Sequence, residues 1–168
     1  PGATNLSTGV GGALLDRSPI LAFTDEMPDH LLNRTVQMNI NHQQLFFPIT
    51  KWTTRLNAVS IAEIILKGAG IAMEETPGSV HIGVPSGIGL IRGEEPEKQV
   101  NYLRLEKQIS LDDLHEAINK AKTAFQNAEK PILAIGLLAA KSQVQILIIQ
   151  LAEKFNLPVV VTPMAKGM

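Results

Sequence analysis

The chain of 168 residues carries a formal net charge of −1, is 45% hydrophobic and contains no cysteine. That content can build the core of one ordinary domain or two small ones, while the missing cysteines exclude disulfides and thiolate metal sites. Lys and Arg are spread thinly with no basic run, which excludes a nucleic-acid surface, and the most apolar stretch, Ile132 to Leu151, is broken by Lys141, Ser142, Gln143, Gln145 and Gln150, so no segment reads as a membrane span.

In chain order, a first helix is predicted from about Thr4 to Leu15. Gly9, Gly11 and Gly12 lower its intrinsic propensity by roughly 1 kcal/mol each, so close packing against a backbone or a ligand is expected there. Pro19 opens the short apolar run Ile20–Thr24, and Trp52–Leu56 is Thr-rich; both suit strands. Ser60 with Glu63 has the spacing of a capping box, followed by Ile61, Ile64, Ile65, Gly68 and Ala72 on one helical face. Ser79–Val84 alternates and stops at Pro85. Residues 86 to about 108 then break the pattern with Ser86-Gly87-Ile88-Gly89 and the polar run Gly93–Lys98.

Beyond that break, Ser110 and Asp113 open a helix with the stripe Leu114, Ile118, Ala121 and Phe125. Strand-like Ile132–Ile135 follows Pro131. A helix carrying Val144, Leu147, Ile148, Leu151 and Phe155 stops at Asn156-Leu157-Pro158, and Val159–Thr162 is again strand-like. Apolar runs alternating with amphipathic helices define an α/β, doubly wound class with mostly parallel sheets. Two incomplete units joined by a linker are expected: 1–88, a linker at 89–108, and 109–168. Ser18-Pro19-Ile20-Leu21-Ala22 is echoed by Lys130-Pro131-Ile132-Leu133-Ala134, as two similar units would give. The opening Pro1-Gly2 without an initiator Met, and the stop at Gly167-Met168, lead us to expect an internal segment of a longer polypeptide.

Pro1-Gly2-Ala3-Thr4-Asn5 carries the most information. A Pro-Gly turn entering a helix exposes backbone N–H groups and a carboxamide, and in open α/β sheets ligands bind at the carboxyl ends of strands. The same residues also suit an ordinary capped turn. Asp25 and Glu26 are expected just past a strand, on a loop, pointing apart into solvent; acid–base work by the pair is the second reading. His30, His42, His81 and His115 show no metal-ligand spacing and are expected to be solvated or structural, although His42 lies in a Gln/Asn-rich stretch that could meet a ligand. Ser7, Thr8 and Ser18 lack a His/Asp relay. Trp52 is expected to anchor the core or an interface.

Taken together, several segments resemble the thiamine-diphosphate-dependent enzymes, especially their acetolactate-synthase branch. Pro1-Gly2-Ala3-Thr4-Asn5-Leu6 is similar to the Gly-Pro-Gly-Ala-Thr-Asn motif of that family, and Leu15–Ala22 to the strand entry after it. Phe47-Pro48-Ile49-Thr50-Lys51-Trp52 resembles its Pro-x-Thr-Lys-Trp run. Pro77–Pro85 resembles the end of the pyrimidine-binding (PYR) domain, while Lys130–Gly136, Leu157–Thr162 and Lys166-Gly167 resemble the opening of the central domain. The resemblance implies that 1–88 is the later half of a PYR domain and 109–168 the start of a central domain. It implies a thiamine diphosphate cofactor with Mg2+, a small 2-keto-acid substrate that is decarboxylated and ligated, and a cytoplasmic homo-oligomer, since the family's cofactor lies between two subunits. Pro1 and Asn5 match positions that contact the pyrimidine, and Gly2 the tight turn beside it. The catalytic Glu would lie upstream of residue 1 and the diphosphate–metal site beyond residue 168, so neither a catalytic residue nor a metal ligand is expected here. FAD, bound by some relatives, is possible but unsupported. The chain departs from the family at Asp25, where Gly is frequent, at Glu26, where acetolactate synthases carry Gln, and at Met38, where a pyrimidine-side Gln is usual. A simple decarboxylase, an oxalyl-CoA-type lyase or a non-catalytic module of the same fold are the alternatives.

Overall fold

A computed structural model describes residues 1–92 and 110–167, and the chain divides into two compact units, Pro1–Glu106 and Lys107–Met168. Most of the expected linker at 89–108 lies outside the described residues.

In the first unit the order is α1 (Gly2–Leu15), β1 (Ile20–Glu26), α2 (His42–Phe46), β2 (Trp52–Arg55), α3 (Ile61–Met73) and β3 (Ser79–Pro85). The strands form one parallel sheet ordered β1-β3-β2. β3 is the central strand, and its residues from Ser79 to Gly83 are buried on both faces, as a strand flanked by two others requires. Val80 and Ile82 point to one side, where with Leu56 and Ala72 they form a core packed by Ile61, Ile64 and Ile65 of α3. Burying side chains of this size stabilises the fold by about 1.5–3 kcal/mol each. Ser79 and His81 point to the other side, and the His81 ring stacks on Phe46 of α2 with centroids 4.0 Å apart. Phe46 joins Val10 of α1 and Ala22 of β1 in a second cluster. Helices therefore cover both faces, the doubly wound α/β arrangement.

Local chemistry accounts for the element ends, with three departures from expectation. Helix α1 starts at Gly2 rather than Thr4, with Pro1 as its N-cap and Thr4 Oγ1 donating back to the Pro1 carbonyl at 2.8 Å. The expected close packing at its glycines is absent: a Cβ at Gly9 or Gly12 would meet nothing within 4 Å, and one at Gly11 only the Ile49 side chain. The reason is that α1 turns Val10, not its glycines, onto the sheet. The Ser60–Glu63 capping box does not form either. Ser60 makes no side-chain cap; Asn57 Oδ1 instead accepts from the Val59 and Ser60 amides at 3.1 and 2.9 Å. Ser60 Oγ itself donates to the same Asn57 oxygen at 2.9 Å, so an Asx turn ahead of the helix engages the side chain expected to cap it.

The second unit runs α4 (Leu111–Gln126), β4 (Leu133–Ile135), α5 (Leu137–Lys141), α6 (Gln145–Lys154) and β5 (Val159–Val161). Here the Ser110 cap forms, accepting from the Asp113 amide at 3.0 Å. Strands β4 and β5 pair in parallel, and Phe125 meets Phe155 edge-on at 5.0 Å. No helix among the described residues is long and apolar enough to cross a membrane.

Candidate functional site

Because α1 leads directly into β1, its N-terminus returns beside the carboxyl end of that strand. Between them lies a cleft of about 410 Å³, lined by Pro1, Gly2, Ala3 and Leu6 of α1, Phe23–Glu26 of β1, and Met38, Asn39, Ile40 and His42. A second cleft of about 470 Å³ shares Glu26, Met27, Asn39, Ile40 and His42 and extends to Arg55. The loop between them is pinned by Asn39, whose Nδ2 reaches the carbonyls of Leu31, Leu32 and Arg34 at 2.9–3.1 Å. Met38 takes a left-handed φ of 66° on that loop. Of the residues singled out in the sequence, Pro1 and Gly2 line the first cleft, whereas Asn5 is exposed and is not among its lining residues.

The floor is a polar network on one sheet face. Register places Ala22 and Thr53 on either side of His81, and Thr24 and Arg55 on either side of Gly83. Period-two alternation then turns Thr24, Glu26, Thr53, Arg55 and His81 to the same side. Asp25 and Glu26 are therefore not the solvated loop pair expected. Both belong to β1; Asp25 faces outward and accepts from Ser86 Oγ at 3.0 Å, while Glu26 is only 6% exposed. Glu26 reaches Arg55 because position 83 has no side chain: a Cβ on Gly83 would lie 2.2 Å from Glu26 Oε1.

The Arg55 guanidinium neutralises that carboxylate, with Nε at 2.5 Å from Oε2, and extends to Asp29 at 2.6 Å and to the Met27 carbonyl at 2.7 Å. Gln43 Nε2 donates to Glu26 Oε1 at 2.7 Å and to the Thr54 carbonyl at 3.0 Å. Gln43 Oε1 accepts from Thr53 at 2.8 Å. Thr53 Oγ1 is also 2.7 Å from His81 Nδ1, His81 Nε2 is 2.8 Å from Thr24 Oγ1, and Thr24 Oγ1 is 3.0 Å from His42 Nδ1. Burial pushes His81 down to about 4, and neighbouring His42 adds to the lowering, so His81 is neutral at physiological pH.

Glu26, His42 and His81 bring one potential ligand atom each within 4.8 Å of one another. They do not fit a cation. Both oxygens of Glu26 and both nitrogens of His81 already hold partners, and the Arg55 cation sits where a metal would need negative charge. The first cleft offers apolar walls from Leu6, Phe23, Met38 and Ile40 with a few polar groups converging on its floor, the lining of a small-molecule site. It does not suit a diphosphate, since its charged side chains are Asp25 and Glu26 and it holds no Lys or Arg. Lys51 lies elsewhere, donating to the carbonyls of Ile71 and Glu74 at the end of α3; burial, the largest influence on it, lowers its pKa.

Sequence reasoning flagged His42 but missed Thr24, Thr53, Gln43 and Arg55. The signal available for Thr24, Thr53 and Arg55 was polar residues at alternate positions along strands, and for Gln43, on α2, only the Gln/Asn-rich stretch it shares with His42.

A cleft at a strand's carboxyl end lies where open α/β sheets bind ligands. Comparison with known proteins is more specific. Residues 118–168 match the family described as thiamine pyrophosphate enzyme, central domain. The chain is 30% identical to an acetolactate synthase of Arthrospira platensis over 99% of its own length and 29% of the relative's. It is 31% identical to a probable acetolactate synthase large subunit of Methanococcus aeolicus, again over 99% of the chain and 28% of the relative. With the acetolactate synthase isozyme 1 large subunit of Escherichia coli K12 it shares 28% identity over 100% of the chain and 29% of the relative. Along its whole length the chain is thus similar to thiamine-diphosphate-dependent enzymes of the acetolactate-synthase type. It spans less than a third of the length of these relatives.

Proposed function

We propose that the chain forms part of a thiamine-diphosphate-dependent enzyme that decarboxylates a 2-keto acid and ligates the product to a second keto acid, as an acetolactate synthase does. The observation that carries this reading is the match to acetolactate synthases along the whole chain, joined to a cleft at the family-like Pro1-Gly2 turn. When bound, thiamine diphosphate supplies the electron sink for loss of CO2. The protein's share is binding and orientation.

In this reading residues 1–88 are the later half of a PYR domain, 89–108 a linker and 109–168 the start of a central domain. Pro1 and Gly2, with Phe23 and Ile40, would hold the pyrimidine in this cleft and exclude water from it. Asn5, exposed one turn along α1, would face a second subunit approaching this helix. The open face at Gly9 and Gly12 leaves room for that approach. With no Lys or Arg in its lining, this cleft would not hold the diphosphate, which would be bound by residues outside it. The same proposal includes a catalytic Glu outside the chain and a cytoplasmic homo-oligomer.

Incubating the full-length enzyme containing this segment with pyruvate, thiamine diphosphate and Mg2+ tests the proposal. Acetolactate with release of CO2 is expected; acetaldehyde without acetolactate would establish the simple decarboxylase instead. Calorimetry of the 168-residue chain with thiamine diphosphate and Mg2+ should show no binding tighter than that of the aminopyrimidine ring alone. Micromolar affinity would overturn the view that the diphosphate site lies elsewhere.

A further inference from the structure

The polar network below the cleft has a direction that its hydrogen-bond chemistry fixes. Gln43 Nε2 faces two groups that can only accept, the Glu26 carboxylate and the Thr54 carbonyl, so its Oε1 faces Thr53. A threonine hydroxyl has one proton, and Thr53 gives it to Gln43 Oε1. Thr53 Oγ1 must therefore accept from His81, whose proton sits on Nδ1. The neutral His81 then accepts at Nε2 from the Thr24 hydroxyl. With its only proton committed, Thr24 Oγ1 accepts from His42 Nδ1–H. Each link leaves one arrangement that satisfies every partner.

The chain of donors ends at His42 Nε2, which carries a lone pair. Among the described residues no buried side-chain nitrogen or oxygen lacks a partner, and no hydrogen bond reaches this atom, so it is open to solvent although the His42 side chain is only 10% exposed. His42 lines both clefts. We propose that His42 is a positioning residue built as an acceptor, whose Nε2 takes a hydrogen bond from an N–H or O–H of the molecule in the first cleft. The ligand class is a neutral ring bearing an amino or hydroxyl donor. The ligand class rests on the cleft reading above; the tautomer does not.

The test reads the imidazole nitrogens of the 168-residue chain by two-bond 1H–15N correlation, without ligand, at about pH 8.5, above the ordinary histidine range. His42 and His81 should both appear with pyrrole-type Nδ1 and pyridine-type Nε2, the tautomer that free histidine disfavours. Thr53→Val, nearly isosteric, should release both rings from it, and Thr53→Ser should restore it; a thermal melt of each variant confirms the fold. A pyrrole-type Nε2 on His42, or a His42 tautomer indifferent to Thr53→Val, overturns the proposal. Titration then uses 4-aminopyrimidine and unsubstituted pyrimidine as probes. Only the amino compound should move the His42 Nε2 resonance, and His42→Phe should weaken its binding about tenfold, the loss of one hydrogen bond. Equal response to both probes, or to neither, overturns the ligand class. Absence of acetolactate synthesis by the full-length enzyme, with these spectra as expected, would fail the enzymatic reading alone.

Discussion

Gly83 and Glu26 show how one missing side chain organises the site. The carboxylate lies over Gly83, where a Cβ would come within 2.2 Å of Oε1. Gly83→Ala should push it away from Arg55 and Gln43 and leave a buried charge without its partners, costing about 3 kcal/mol or more in urea unfolding. Glu26→Gln should be tolerated better, because Gln removes the charge together with the need for Arg55. His81 links the site to pH. Its folded value of about 4 lies below the ordinary 6.5, so above 6.5 it is neutral in both states and its contribution is fully present. As pH falls toward 4, the unfolded chain takes up a proton that the folded chain refuses, and stability declines by on the order of 3 kcal/mol. Comparing the wild type with His81→Asn between pH 7 and 5, the wild type should lose more of its urea midpoint. At this scale the sequence was only partly legible. His81 reads as structural, and is; Glu26 reads as a solvated loop residue, and is buried, because only strand length and register decide which side of the sheet it faces.

The elements were more legible than their ends. The strand at Ser79–Pro85 follows from alternation and its stop at Pro85, and the Ser110 cap forms as the spacing predicts. The start of α3 differs because Asn57 Oδ1 accepts the Ser60 hydroxyl at 2.9 Å as well as the Val59 and Ser60 amides, which turns the Ser60 side chain back toward Asn57 and away from the first amides of the helix. Asn57→Ala should therefore destabilise by about 1 kcal/mol, whereas Ser60→Ala should cost almost nothing; thermal unfolding of the two variants separates the readings. The short α5 went unread because five residues between two strong patterns carry too little periodicity to stand out.

Across the whole molecule, apolar surface is unevenly buried. The first unit has two core clusters. In the second, Ile135 and Ala165 are the buried hydrophobic residues among those described, while Ile146, Leu147, Ile149 and Leu151 of α6 and all of β5 are exposed. Faces of that kind associate, and a two-stranded sheet offers open edges. Sedimentation velocity over a range of concentrations should show self-association; a monomer at every concentration would contradict it. Exchanging Leu147 and Leu151 for Gln should shift the distribution toward monomer.

By itself the sequence determined the α/β class, the parallel strands and the family resemblance, because apolar periodicity, Pro and Gly punctuation and motif order are local properties that survive without coordinates. Tertiary structure alone decided which polar residues meet. Thr24, Gln43, Thr53 and His81 come from four separate elements, and their hydrogen bonds exist only once sheet register brings one face of three strands under α2. Hydrogen-bond direction is a property of that closed set, since each proton's place depends on what its neighbour has already accepted.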